Sequence, residues 1–201
     1  TSTSYKGTDK GTYYIWYYCR VTDTTNNTGT GINTVKSVTK AIGAKSVAVT
    51  WGDTTEFTYN GSAQAPTASV TTGVTGETMT VTRTTETNAS SSNYTSTASC
   101  SSVSGGQAKC SNYTLTGTTK DFTIGRQGIA FPSCTSVAYN GSSQTLFAAH
   151  SSGTYTNSAI SGTDAGDYTG NLTPTSNYQW NSGSSVTSAR TLTCTITPKS
   201  V

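Results

Sequence analysis

The sequence predicts an all-β protein assembled from tandem β-sandwich modules. Three observations carry this expectation. Thr (45 residues) and Ser (29) supply more than a third of the 201-residue chain, and Thr alternates with Val, Tyr, Ile and Leu at the period of two that a half-buried strand needs. Short alternating runs are bounded by Gly, Asn and Ser, and no window carries a helical apolar period of useful length. Four sequence landmarks recur in a fixed order along the chain.

Taken in chain order, strands are expected at 12–20, 35–41, 47–51, 56–59, 79–85, 94–100, 113–116, 120–124, 135–139, 168–172 and 190–196. A Ser/Thr-rich chain with few charges also fits a disordered, glycosylated stalk, but such stalks are rich in proline and this chain has four. The alternation favours folded β-structure.

The landmarks set the modules. Phe57-Thr-Tyr-Asn-Gly-Ser-Ala-Gln64 recurs as Val137-Ala-Tyr-Asn-Gly-Ser-Ser-Gln144, an offset of 80. Each copy runs from a strand into Asn-Gly, a hairpin-turn signal because both residues tolerate positive φ. Asp9-Lys-Gly-Thr-Tyr13 matches Asp164-Ala-Gly-Asp-Tyr168, with a degenerate copy ending in Tyr94, so the tyrosines lie 81 and 74 residues apart. Asp-x-Gly-x-Tyr resembles the tyrosine corner of immunoglobulin-like sandwiches, in which a Tyr hydroxyl ties a strand corner to nearby backbone. Ser111-Asn-Tyr113 and Ser176-Asn-Tyr178 each read as a turn opening a late strand. Exit strands end near Lys40, Arg126 and Lys199, 86 and 73 residues apart.

The boundaries that follow are 1–43, 44–126 and 127–201. The first module holds only the back half of a repeat, with a Tyr corner and an exit strand but nothing like Tyr-Asn-Gly before them. If residues 1–201 are the whole subunit, its sheet edges lack partners, a liability that strand donation from a neighbour removes. Gly43, Gly125 and Pro198 punctuate the exits, and linkers this short predict modules packed end to end. The chain starts at Thr1 without a signal peptide, so the expectation is a processed product or a piece of something longer.

Charge excludes a nucleic-acid partner. Charged residues are 10% of the chain and the net charge is +3, with no clustering of Lys and Arg. No stretch approaches the ~20 apolar residues of a membrane span. Five cysteines without a C-x-x-C, beside a single histidine, argue against zinc and for disulfides in an oxidising compartment.

Cys100 and Cys110 bracket a Ser/Gly-rich insertion between the second Tyr corner and its Ser-Asn-Tyr turn, so a bridge there would hold adjacent strands. A Cys134–Cys194 bridge would clasp the first and last strands of the third module. Cys19 lies six residues after Tyr13, as Cys100 lies six after Tyr94, but has no counterpart of Cys110. Its partner belongs to an upstream segment or it is a buried thiol; the sharper alternative is an intermolecular bridge.

Nothing suggests an enzyme. His150 is the sole histidine and stands near no Gly-x-Ser-x-Gly elbow. Asp164 and Asp167 are too few for Ca²⁺, which wants six to eight oxygens. No cofactor or metal is implied. Seven Asn-x-Ser/Thr sequons follow from the composition. Lys36, Lys40 or Lys120 could enter an internal isopeptide bond, though no Asn and acid can be assigned to them. Trp16 and Trp180 read as core or inter-sheet residues, and Trp51, beginning a turn, is the aromatic best placed to stack on a sugar.

Together, Tyr-Asn-Gly-Ser-x-Gln, Asp-x-Gly-x-Tyr, Ser-Asn-Tyr-Gln-Trp180-Asn-Ser-Gly and Thr-Leu-Thr-Cys-Thr-Ile196-Thr resemble the tandem repeats of large bacterial surface proteins. These are the adhesin-type repeats grouped as MBG- or YDG-like and as bacterial immunoglobulin-like domains. The resemblance covers nearly the whole chain. It implies extracellular display on a bacterial cell, repetition into long stalks and no catalytic residues, on an immunoglobulin-like sandwich or its β-grasp alternative. The cysteines depart from the common repeat, which is usually cysteine-poor. The functional expectation is a structural or adhesive segment of a surface fibre, a homopolymer joined to like modules by strand complementation. The alternative is a module binding surface glycans or host proteins.

Overall fold

The structure, a computed structural model, describes residues 4–18, 35–106, 108–151, 153–183 and 186–200. In chain order its strands are β1 (Gly11–Tyr18), β2 (Val35–Ile42), β3 (Lys45–Trp51), β4 (Glu56–Thr58), β5 (Ala68–Val70), β6 (Thr78–Arg83), β7 (Tyr94–Ser104), β8 (Tyr113–Thr116), β9 (Thr119–Gly125), β10 (Gln127–Ile129), β11 (Val137–Ala138), β12 (Gln144–Phe147), β13 (Tyr155–Thr156), β14 (Ile160–Gly162), β15 (Gly166–Pro174), β16 (Tyr178–Trp180) and β17 (Arg190–Thr197). A 3-10 turn at Cys110–Asn112 is the one other regular element among the described residues. The protein is all-β.

Each expected strand overlaps an observed one, with ends displaced by up to four residues. β16 was expected without bounds, as the strand that Ser176-Asn-Tyr178 opens, and sequence reading missed β5, β10, β12, β13 and β14. These are two to four residues long, too short for a period of two to register.

Alternation decides which faces are buried. Along β17, Leu192, Cys194 and Ile196 are buried, while Thr191, Thr193 and Thr197 face outward. Along β3, Val47 and Val49 are buried between exposed neighbours. Thr supplies β propensity on the wet face and the aliphatic residues supply burial on the other.

The chain packs as two compact units, one of residues 1–52, 67–83 and 97–120 and the other of 53–66, 84–96 and 121–201. Residues 44–126 contribute to both, and β7 and β9 have residues in each. In the first unit β1 and β2 form an antiparallel ribbon, and β3 lies between β5, antiparallel, and β8, parallel. There β6 also pairs antiparallel with β7.

In the second unit a four-stranded sheet runs β11-β17-β15-β13, β12 pairs with β14, and β10 lies parallel to β16. Its larger core joins Ile160, Leu172, Trp180, Leu192 and Cys194, with Phe131 edge-on to Trp180 at 4.9 Å. A second cluster gathers Phe122, Ile124 and Ala65 under Phe57, Tyr59 and Tyr94.

The Asn-Gly turns form but do not make hairpins. Gly61 and Gly141 take φ of 80° and 82°, and Asn60 and Asn140 each accept the N–H two residues on, from Ser62 and Ser142, at 2.9 Å. The strands flanking each turn nevertheless pair elsewhere. β4 lies parallel to β9 and β11 parallel to β17, while β12 goes to β14. Gln64 and Gln144 reach back to donate Nε2 to the carbonyls of Thr58 and Ala138 at 3.1 and 3.2 Å, which ties each turn to the strand before it. Parallel pairs need long crossovers instead of tight hairpins, and four pairings among the described residues are parallel.

Two disulfides staple the fold, Cys100–Cys110 and Cys134–Cys194, separated by 10 and 60 residues. On loop-closure entropy they contribute about 3 and about 4 kcal/mol. Cys19 lies outside the described residues.

Candidate functional site

The three landmark tyrosines make one repeated contact. Tyr13 donates its hydroxyl to the Asp9 carbonyl at 2.7 Å, and Tyr168 to the Asp164 carbonyl at 3.0 Å. Tyr94 reaches the Asn88 carbonyl at 3.0 Å, six residues back instead of four, as its degenerate motif requires. The ladders behind the first and third corners share a register. Gly11 faces Ile42 and Tyr13 faces Lys40, as Gly166 faces Ile196 and Tyr168 faces Cys194. The Cys134–Cys194 bridge is therefore anchored directly opposite a corner tyrosine.

Close glycines seat the rings. A Cβ on Gly162 would come within 2.1–2.4 Å of the Tyr168 ring, and one on Gly7 within 2.7–2.9 Å of the Tyr13 ring. Gly7 and Gly162 each precede the corner Asp by two residues, so the motif is Gly-Thr-Asp-x-Gly-x-Tyr. Aligning the two copies over two more residues would have found it.

The asparagines of the Ser-Asn-Tyr turns hold these corners. Asn112 Nδ2 donates to Asp9 Oδ1 at 2.7 Å, and its Oδ1 accepts the Lys10 backbone N–H at 2.9 Å. Asn177 Nδ2 likewise donates to Asn88 Oδ1 at 3.1 Å, and its Oδ1 accepts the Ala89 N–H at 2.8 Å. In both cases the side chain and the following N–H of the residue that receives the tyrosine hydroxyl are gripped by one amide. The sequence marks Ser-Asn-Tyr as a turn opening a late strand, and β8 and β16 do start at Tyr113 and Tyr178, but it does not show the grip on a distant corner. The signal it lacked was distance, because each asparagine binds about 90–100 residues upstream.

Lys109 adds an ion pair to Asp9 at 2.8 Å. Its hydrogen bond, followed by that of Asn112, holds the Asp9 carboxyl below its ordinary value, and Asp9 raises the Lys109 ammonium in return. Nearby, the Tyr113 phenol donates to the Glu77 carboxylate, and this bond and then burial raise the Tyr113 hydroxyl.

One of the three tryptophans differs from expectation. Trp180 is buried, but Trp16 is 65% exposed, because one step from the inward-facing Ile15 places it on the outer face of the ribbon. Trp51 ends β3 half-buried, its indole N–H donating to the Gly117 carbonyl at 2.8 Å. Aligning the β1 and β15 ladders at their corner tyrosines puts Tyr14 and Trp16 where Thr169 and Asn171 stand. Tyr14 is 59% exposed, so β1 presents an aromatic face where β15 presents a polar one.

His150 is exposed and bonded through Nδ1 to the Ala148 carbonyl and to Asn157. Among the described residues no three of His, Cys, Asp and Glu gather into a metal-holding group, and no helix is long and apolar enough to cross a membrane. No known protein family, characterised protein or solved structure matches this chain.

The packing of ring on glycine is testable. Gly162→Ala is expected to lower the stability of the chain by about 1–3 kcal/mol in urea unfolding, because the added methyl meets the Tyr168 ring. Gly43→Ala, whose site is open within 4 Å, is expected to change stability far less. Equal effects would show that the Tyr168 ring does not depend on Gly162.

Proposed function

We propose that the chain is a structural segment of an extracellular bacterial surface fibre, built of tandem sandwich modules near 1–43, 44–126 and 127–201. The observation that carries this reading is the recurrence of one hydrogen-bonded unit. A tyrosine corner is gripped by the asparagine of a Ser-Asn-Tyr turn, once at Asp9–Lys10 and once at Asn88–Ala89. A unit that repeats with its junction is the economy expected of repeat proteins, in which stability is a sum over modules and their neighbours. Two disulfides fit an oxidising, extracellular setting. The resemblance to adhesin-type repeats points the same way.

Assembly by strand complementation between like chains belongs to this proposal. Among the described residues β2 pairs with β1 alone, whereas its counterparts β9 and β17 each carry a parallel strand, β4 or β11. In β2, Val38 is 53% exposed at the position of the buried Leu192. A strand from a neighbour would cover that edge. Negative-stain electron microscopy of residues 1–201 over a concentration series is expected to reveal filaments. Dispersed monomers at every concentration would contradict self-assembly.

A second reading is favoured by Tyr14 and Trp16, whose exposed rings suit stacking on neutral glycans or a host protein. Glycan-array binding lost in Trp16→Ala and kept in Trp51→Ala is its expected outcome. An array without binding would dismiss it for glycans.

A further inference from the structure

The grip of asparagine on a tyrosine corner occurs twice, and a third position holds one half of it. At the first two corners the residue receiving the tyrosine hydroxyl, Asp9 or Asn88, offers a side-chain oxygen to asparagine Nδ2. The next residue, Lys10 or Ala89, gives its N–H to asparagine Oδ1. At the third corner Tyr168 donates to the Asp164 carbonyl, so Asp164 and Ala165 are the corresponding pair. Both are exposed. Neither the Asp164 carboxylate nor the Ala165 N–H has a hydrogen-bond partner among the described residues.

The surroundings correspond as well. Beside the second grip, Tyr59 packs edge-on against Tyr178 at 5.5 Å, and the Gln127 N–H donates to the Asn177 carbonyl at 2.9 Å. Tyr139 is the counterpart of Tyr59 in the Tyr-Asn-Gly motif and is 38% exposed. Lys199 is the counterpart of Gln127, each standing three residues beyond the isoleucine, 196 or 124, that faces the module's first strand. Tyr139, Asp164, Ala165, Pro198 and Lys199 together line an open cleft of about 460 Å³.

We infer that this cleft is a docking site for the Ser-Asn-Tyr turn of a further repeat of the same kind, whose first strand starts at the position of Lys199. The chemistry selects the occupant. A carboxylate beside a backbone N–H presents one acceptor and one donor, and a primary amide supplies the matching donor and acceptor from a single group. A tyrosine one residue on meets Tyr139 as Tyr178 meets Tyr59. The carboxylate makes the amide bond charge-assisted, as Asp9 does with Asn112. This inference rests on the repeat reading above and adds the means by which one module is joined to the next.

The test extends the chain so that Pro198 is followed directly by a second copy of residues 127–199. Hydrogen exchange at the Ala165 amide is expected to slow about tenfold relative to the 201-residue chain, the effect of about 1.4 kcal/mol. Asn177→Ala made in the appended copy alone is expected to restore the original rate. The second arm titrates a synthetic peptide of residues 173–181 into the intact 201-residue chain and follows the Ala165 amide resonance, with Asn177→Ala peptide as control. It decides the matter if the appended copy does not fold. A shift with the native peptide and none with the control supports the site. An Ala165 amide unaltered in every arm that yields folded protein overturns it. Filaments of the unextended chain together with an unaltered Ala165 would remove this inference and leave the fibre reading in place. An occupied cleft without filaments would do the reverse.

Discussion

The antiparallel ladder between a corner strand and an exit strand is the constraint on which the other features depend. It sets glycine opposite isoleucine at the corner, at Gly11–Ile42 and Gly166–Ile196, and everything else is counted from that pair. A shift of one residue would turn every side chain to the opposite face. Leu192, Cys194 and Ile196 would enter water, the threonines between them would enter the core, and the Cys134–Cys194 bridge could not close. The hydroxyl bond of Tyr168 to Asp164 and the contact of its ring with Gly162 hold the register at one end. The disulfide holds it at the residue opposite.

Once the corner is fixed, its backbone becomes a binding element. The hydroxyl bond occupies one carbonyl, and the turn leaves the next N–H and the preceding side chain pointing outward together. Asn112 and Asn177 exploit that pairing. A backbone N–H left unsatisfied at a partly covered position carries a cost, so a turn that supplies its partner stabilises the covered state preferentially. The first ribbon has the same ladder but a different surface. Lys40 stands where Cys194 is buried, and Tyr14 and Trp16 stand where Thr169 and Asn171 face solvent. The ladder is constant while the faces it presents differ.

Much of this was legible in the sequence, for reasons that particular residues make plain. Thr alternating with Leu, Cys and Ile announced β17, and Asp-x-Gly-x-Tyr announced the corners, because both signals are local. Cys100 and Cys110 could be paired from the length of the insertion between them. The parallel course of β4 and β11 was hidden, since Asn-Gly states that the chain turns and not which strand it meets. Trp16 was misplaced because composition cannot distinguish the two faces of a ribbon whose alternation is aromatic throughout. The roles of Asn112 and Asn177 lay beyond sequence reading because their partners are distant in the chain. Residues 19–34, which include Cys19, lie outside the described residues.

At the first two corners one asparagine amide holds the turn through a backbone N–H. Amide hydrogen exchange in the 201-residue chain, compared between Asn112→Ala and Asn177→Ala, tests it most directly. Asn112→Ala is expected to speed exchange at Lys10 and Asn177→Ala at Ala89, each about fivefold to tenfold and each leaving the other site unaltered. Unchanged rates at Lys10 and Ala89, or the same loss at both sites from either substitution, would contradict it.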